Sequence, residues 1–336
     1  VTSCPTTFTA DTYPGPTIKD AGEHETIAAI GRNAPSSRNG DDAAVLASPA
    51  PNSRTVVSTD ALVSGRHFNP NWTSAYHLGR KAITQNFADI EAMGARPIAA
   101  VAALAAPAHT PLAAIEDLAR GMNARLTDYS AELVGGDITQ APTLTIAVTA
   151  IGLIGGDKPP LTLNAARPGQ KLVAAGNIGH AAAGLALLSK LGPDNIPTHL
   201  THLVRAQLDP QLVPNRGLVA RATGATAMTD NSDGLITDLT AIATASNVRI
   251  DIHTNAIQPT PELAHAAQIC HTDPWEWILS GGEDHTLLAT TVHEPPSGFR
   301  IIGHVSKQRG HLPVSIDGEN PPYNRGWQAF DKPATT

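Results

Sequence analysis

A chain of 336 residues has room for about two domains with a buried core in each, and 41% hydrophobic with 16% charged residues describes a soluble globular protein. A net charge of −7, no basic run and 4% aromatic residues argue against nucleic acid and anionic membranes as partners. Cys4 and Cys270 cannot build a disulfide framework and read as free thiols, and with neither a bilayer-length apolar stretch nor a signal-peptide pattern the expected location is cytoplasmic.

Residues 1–22, rich in Thr, Pro, Ser and Gly, predict a flexible or loosely docked arm. A short helix is expected from Glu23 to about Ile30, then strands at Val45-Leu46 and Thr55 to Thr59. Alternation along the second strand puts Ser58 and Asp60 on one face, with Asp60 at the strand end. The apolar spacing of Ile83, Phe87 and Ile90 predicts a helix from Tyr76 to Met93, stopped by Gly94, with Asn86 and Asp89 sharing a face beside its apolar stripe. A strand at 97–104 precedes a helix that Thr110-Pro111 opens by a cap-then-proline signal. Glu132 to Val134 is a strand running into Gly135-Gly136-Asp137, and Leu144 to Ile154 is another.

Gly155 to Pro160 is the best linker, so the chain divides into an N-terminal domain at 23–155 and a C-terminal domain at 156–336. In the latter, a strand at Lys171–Ala175, a glycine turn at 176–179 and a helix from His180 to Lys190 follow in order; the turn reads as structural, since its spacing is not a dinucleotide fingerprint. The strand Ala225–Met228 ends in Thr229-Asp230-Asn231-Ser232-Asp233-Gly234 before a helix from Leu235 to about Ser246, a second acidic corner expected to be built like the first. Strand Val248–Ile252, a helix opened by Thr260-Pro261, the turn Ser280 to Asp284, strands around Leu287 and Ile301, and a hairpin at Asp317-Gly318 complete the domain.

One aspartate beside a small residue is usually a turn former or a helix cap. Here Asp41, Asp42 and Asp60 stand at the edges of apolar runs with little cationic company, and a carboxylate near a core needs a cation or backbone amides. Oxygen ligands from Asp, Ser and Thr suit magnesium, which usually reaches a protein with phosphate. No Walker A loop, protein-kinase signature, zinc motif or G-x-S-x-G elbow occurs, and His199 and His202 read as surface residues. Phosphoryl transfer would therefore rest on metals held by Asp42, Asp60, Asp89, Asp137, Asp230 and Asp233.

Gly40-Asp41-Asp42-Ala43-Ala44, Ser58-Thr59-Asp60-Ala61-Leu62-Val63, His67-Phe68, Asn86 to Gly94, Gly135-Gly136-Asp137, Ser232-Asp233-Gly234-Leu235 and Ser280-Gly281-Gly282-Glu283-Asp284 occur in this order. In these motifs, from about residue 23 to Phe330, the chain resembles the thiamine-monophosphate kinases of the aminoimidazole ribonucleotide synthetase and selenophosphate synthetase superfamily. The resemblance implies a two-domain α/β (α+β) PurM-like fold: an N-terminal ATP- and magnesium-binding domain whose sheet pairs across a homodimer, and a C-terminal α/β domain completing the substrate pocket. It implies ATP-dependent phosphorylation of thiamine monophosphate to thiamine diphosphate with several Mg2+ ions, K+ being a further candidate cation. Carried over by position, Asp42, Ser58, Thr59, Asp60, Asp89, Asp137, Asp230 and Asp233 look like magnesium ligands. Gly136, Asp137 and Ser232 look like ATP contacts, and His67, Glu283 and Trp327 like contacts to the thiamine phosphate. No catalytic base is expected, because a phosphate ester with a second pKa near ~6 is already ionised at neutral pH.

Leu163 stands where the family commonly has an ATP-contacting arginine, with Arg167 nearby in sequence; His285 replaces a usual tyrosine and Ile138 a common threonine. Selenophosphate synthetase would need a reactive cysteine with a nearby lysine, and Thr2-Ser3-Cys4-Pro5-Thr6 supplies no lysine. The alternative from another class is a silent nucleotide-binding dimer, which tight ATP binding without turnover would reveal.

Overall fold

A computed structural model describes residues 5–36, 51–308, 310 and 312–327. Cys4, Asp41, Asp42, the expected strand at Val45-Leu46 and Phe330 lie outside the described residues. The chain forms two compact units, Val1–Ile90 with Pro97–Gly155 and Glu91–Arg96 with Gly156–Thr336.

The first unit contains α1 (Ile18–Asn33), β1 (Arg54–Val63), α2 (Ala75–Ala92), β2 (Arg96–Ala106), α3 (Leu112–Asp128), β3 (Glu132–Gln140) and β4 (Thr145–Ile154), with the end of α2 and the start of β2 counted in the second. Its sheet has the order β1-β4-β2-β3; β1 and β4 are antiparallel in unbroken register from Arg54↔Ile154 to Val63↔Thr145, and β2 and β3 are parallel. Alternation along β4 buries Ile146, Val148, Ala150 and Ile154. On α2 the buried stripe is Leu78, Ala82, Ile83, Phe87 and Ile90, and Phe87 meets Tyr129 edge-on at 5.0 Å. Helices α2 and α3 cross at two glycines: a Cβ on Gly79 would stand 2.1 Å from the Leu118 carbonyl oxygen, and one on Gly121 1.9 Å from that of Tyr76.

Several expectations are revised here. A short helical turn from Ile18, opened by the reciprocal capping box of Thr17 and Asp20, precedes the helix expected from Glu23, and Gly22 at φ 78° kinks α1 between the two; upstream Thr7 and Phe8 are buried. Strand β1 runs on to Val63, since β4 offers ten residues in register, so Asp60 lies within the strand and not at its end. Gly135-Gly136-Asp137 likewise stays in β3, paired with Val101, Ala102 and Ala103. Thr110 does not cap α3; it is buried with its hydroxyl 2.9 Å from that of Thr7, and Pro111 takes the cap position.

The second unit contains β5 (Lys171–Ala175), α4 (His180–Leu191), α5 (Thr201–Leu208), α6 (Arg216–Ala222), β6 (Ala225–Asp230), α7 (Leu235–Ser246), β7 (Val248–Ile252), α8 (Pro261–Cys270), α9 (Pro274–Ser280), β8 (Leu287–Thr291), β9 (Arg300–Lys307) and β10 (Val314–Ile316). Its six-stranded sheet has the order β10-β7-β9-β5-β8-β6; the β7–β9, β9–β5, β5–β8 and β8–β6 pairs are antiparallel, and β10 joins β7 in parallel. Leu172, Ala174, Ile250, Ile252, Leu288 and Ile302 from the strands share one core with Leu187, Leu203, Leu239, Ile242, Leu263 and Ile278 from the helices. Asp317 and Gly318 make a tight turn with positive φ at both, joined by the single bridge Ile316↔Glu319. Among the described residues no helix is long and apolar enough to cross a membrane.

Candidate functional site

Strand β1 and helix α2 assemble the first acidic group. Ser58 and Asp60, two apart on the strand, face the same way, and the Ser58 hydroxyl donates to Asp89 Oδ2 at 2.5 Å. Asn86, one helical turn before Asp89, is 2% exposed; it donates to the Ala82 carbonyl oxygen and accepts the Asp60 amide at 2.9 Å. Sequence reasoning put Asn86 on the right face of α2 without seeing that it fixes the Asp60 main chain. Thr59 points the other way, its hydroxyl donating to the Val148 carbonyl oxygen at 3.0 Å and accepting from Thr149. Asp137 is exposed on β3, opposite Ala103. Gly136 beside it cannot carry a side chain, since a Cβ would lie 2.1 Å from the Ala102 carbonyl oxygen. His67 accepts the Val63 amide at Nδ1, 2.9 Å away, which leaves the ring proton on Nε2. Asp42, the remaining predicted ligand of this half, is outside the described residues.

Glu91 closes the Asn86-to-Gly94 motif but has a different task. Its two carboxylate oxygens accept the amides of Asn215 and Gly217, each at 2.6 Å, at the start of α6. Burial pushes this carboxyl up to about 7 against the pull of those amides.

In the second unit the acidic corner is a loop between β6 and α7, unlike the mid-strand placement of Asp60, so the two corners are not built alike. Asp230 closes β6, and its Oδ2 lies 2.9 Å from Nδ1 of His285, both nearly buried. Two loops run side by side here: the Glu283 amide donates to the Ser232 carbonyl oxygen at 2.9 Å and the His285 amide to that of Asn231 at 3.0 Å. These bonds hold Glu283 and His285 at φ 64° and 50°, a backbone region that costs non-glycine residues on the order of 1–3 kcal/mol. Asp238, not foreseen from the sequence, accepts the Asp233 and Gly234 amides at the start of α7. Burial pushes its carboxyl up to about 8, and the negative charges of Asp230 and Asp233 push the same way. An acid in the first turn after Ser-Asp-Gly was the available signal.

Glu283 accepts a hydrogen bond from Gln207 Nε2 on α5 at 2.5 Å, a partner the sequence did not reveal. Trp327 is tied by its amide to the Asp233 carbonyl oxygen at 2.9 Å, while its side of the chain stays 43% exposed, so it is no core aromatic. The glycine turn before α4 does receive an anion, and that anion is Asp284: its oxygens accept the amides of Gly179 at 2.5 Å and Ala181 at 2.8 Å. Arg167 turns its guanidinium onto the carbonyl oxygens of Asn164 and Ala166, and Leu163 is 38% exposed. His199 and His202 are exposed as expected; His199 stacks on His265 of α8, and His202 meets His180 edge-on.

Both groups are rich in hard oxygen donors. Ser58, Asp60, Asp89 and Asp137 in one unit, and separately Asp230 and Asp233 in the other, are oxygen donors of the kind that suits magnesium, with no thiolate among them. Burial raises the Asp238 carboxyl first and the charges of Asp230 and Asp233 add to it, so negative charge is concentrated at this corner.

The family model described as AIR synthase related protein, N-terminal domain, matches residues 40–154. The chain is 60% identical to a thiamine-monophosphate kinase of Corynebacterium glutamicum over 316 residues, 94% of this chain and 96% of that one. Among solved structures it is similar to a thiamine-monophosphate kinase from Stenotrophomonas maltophilia, with 31% identity and a TM-score of 0.73 over 83% of this chain and 90% of that one. It is also similar to AaThiL complexed with AMPPCP and TMP, with 28% identity and a TM-score of 0.76 over 94% of this chain and all of the other. The two-domain α/β architecture is therefore PurM-like, and this chain belongs to the thiamine-monophosphate kinase family.

Proposed function

We propose that this chain transfers the γ-phosphoryl group of ATP to thiamine monophosphate, giving thiamine diphosphate and ADP. The observation that carries this reading is the 60% identity to a thiamine-monophosphate kinase across 94% of the chain. A similar protein was solved with AMPPCP, an ATP analogue, together with TMP, the pair of ligands such a reaction needs.

In this reading Asp42, Ser58, Asp60, Asp89, Asp137, Asp230 and Asp233 hold magnesium, and Thr59, whose hydroxyl is engaged by Val148 and Thr149, drops out of the expected side-chain ligands. Bound magnesium supplies charge neutralisation between donor and acceptor phosphates and aligns them for in-line transfer. The protein's own contribution is orientation. Ser58 fixes the Asp89 carboxylate, Asn86 fixes the Asp60 backbone, and His285 fixes Asp230. Gly136 and Ser232 contact the nucleotide, and Asp137 serves nucleotide and metal together. The exposed Trp327 lies against the cationic thiazolium, a contact worth about 0.5–2 kcal/mol. Glu283, steadied by Gln207, accepts from the aminopyrimidine, and His67 offers its Nε2 proton to the acceptor phosphate. The thiamine phosphate arrives ionised, so no side chain has to remove a proton.

Homodimer formation through the N-terminal sheet belongs to the same proposal. Among the described residues β1 is an edge strand of ten residues with Val57 60% exposed, and an edge that long normally needs a cover. Label from γ-32P ATP should appear in the terminal phosphate of thiamine diphosphate, with no labelled protein when ATP is supplied alone. Accumulation of a phosphoprotein would replace direct transfer with a two-step reaction.

A further inference from the structure

A second cluster of chemistry-bearing side chains sits in the second unit, on residues that phosphoryl transfer does not use. Asp251 of β7 and His304 of β9 are direct cross-strand partners. His253 follows Asp251 by two residues in extended backbone, and its amide still pairs with the Ile302 carbonyl oxygen. Alternation thus puts Asp251 and His253 on the face opposite the core residues Ile250 and Ile252. One ligand atom from each of Asp251, His253 and His304 lies within 4.8 Å of the other two. We propose that these three side chains form a binding site for a divalent first-row transition ion, of the zinc, cobalt and nickel class.

Two imidazoles and one carboxylate select such ions over magnesium, which prefers oxygen alone. His253 Nε2 and His304 Nδ1 are 3.0 Å apart, with the rings tilted by 44° and not stacked. Metal–nitrogen bonds of about 2.0–2.1 Å at adjacent coordination positions would separate the two nitrogens by about 3 Å. The carboxylate is already oriented: Asp251 Oδ1 accepts from the Ser315 hydroxyl and from the Gly318 amide at 2.8 Å, the kind of outer support that metal-ligating carboxylates receive. Among the described residues Oδ2 accepts no hydrogen bond, although Asp251 is 9% exposed. Of the nearby cations, Arg249 spends its guanidinium on Ser315 and the Gly318 carbonyl oxygen, and Lys171, the cross-strand neighbour of His304, pairs with Glu294 at 2.8 Å. A carboxylate whose Oδ2 takes no hydrogen bond from the described residues, with two imidazoles beside it, is a place for a cation. Exposed His304 gives an ion its route from solvent, and paired strands hold the ligands in place.

The test uses the full chain, stripped with EDTA and kept in excess magnesium so that the oxygen-donor acids are saturated, then titrated with Co2+ alone. One equivalent should bind with visible d–d absorption, and Zn2+ should displace it. His304→Asn and His253→Asn should each weaken binding about 10–100-fold or more, with circular dichroism unchanged. The double variant His199→Asn/His265→Asn, which removes the other close imidazole pair, should bind as the parent does. Absence of a d–d band in the parent, wild-type affinity in His304→Asn, or loss of the band in the His199/His265 variant would overturn the site.

Discussion

Ser58 and Asp89 are 31 residues apart in the chain and share a hydrogen bond of 2.5 Å, while Asp230 and His285 are 55 apart and share one of 2.9 Å. Such pairs turn isolated acids into oriented ligands. Asp60→Asn or Asp230→Asn, each isosteric, should leave the circular dichroism spectrum intact and lower kcat by roughly 100- to 1,000-fold or more. That loss corresponds to several kcal/mol of metal-borne charge stabilisation at ~1.4 kcal/mol per decade. Wild-type turnover in either variant would remove the metal assignment. Glu283→Gln should act mainly on KM for thiamine monophosphate, raising it about 10-fold with little change in KM for ATP, as expected for a charged hydrogen bond to the acceptor. Equal effects on both substrates would move Glu283 away from the acceptor. At this scale the sequence allowed residues to be chosen for the proposed chemistry, because Asp, Ser and Gly at these spacings have few other joint uses. It did not reveal the partners that aim them. Gln207, Asp238, the His285–Asp230 contact and the bond from the Asp60 amide to Asn86 depend on pairings made by folding; Asn86 carried a local signal in its spacing from Asp89, and Asp238 one as an acid in the first turn of α7.

Element by element, β4, α2 and α7 could be read from periodicity, since each buries one face against a core. Element ends were harder. The length of β1 is set by its partner β4, and the place of Thr110 by a buried contact to Thr7, neither of which is local. The crossing of α2 and α3 at Gly79 and Gly121 was also invisible, because a helical glycine reads as a weak helix former until a neighbour is known. Gly121→Ala would set a Cβ 1.9 Å from the Tyr76 carbonyl oxygen and should destabilise the first unit by about 1–3 kcal/mol, seen as an earlier urea transition. An unchanged midpoint would mean that the helices separate freely. The start of α4 carries a pH dependence. Burial pushes His180 down from 6.5 to about 4, with the charges of His202 and Arg300 acting in the same direction and Glu262 opposing. Between those two values the unfolded chain binds a proton that the folded unit refuses, so stability falls as pH drops through the window. His180→Asn should flatten that fall, gaining on the parent in thermal melts near about pH 5 relative to about pH 8. Parallel pH curves would show that His180 protonates as easily folded as unfolded.

For the whole molecule, each unit owns a sheet, a core and a group of acids: Asp60, Asp89 and Asp137 in one, Asp230 and Asp233 in the other. Gly-Gly-Asp-Lys-Pro-Pro favours neither helix nor strand, which is why the sequence reading placed a linker there; nothing local marks the return of residues 91–96 to the second unit. If β1 is covered by its counterpart in a second copy, light scattering should give twice 34.9 kDa, and Val57→Lys should shift the chain toward the single mass. A monomer that turns over normally would remove the dimer from the account. The measurement closest to the central claim is chromatographic detection of product after incubating the pure chain with ATP and magnesium, in parallel with thiamine monophosphate and with free thiamine. The account predicts thiamine diphosphate from the monophosphate, matched mole for mole by ADP, and no phosphorylated product from free thiamine. ATP bound without turnover, or phosphorylation of free thiamine, would contradict it.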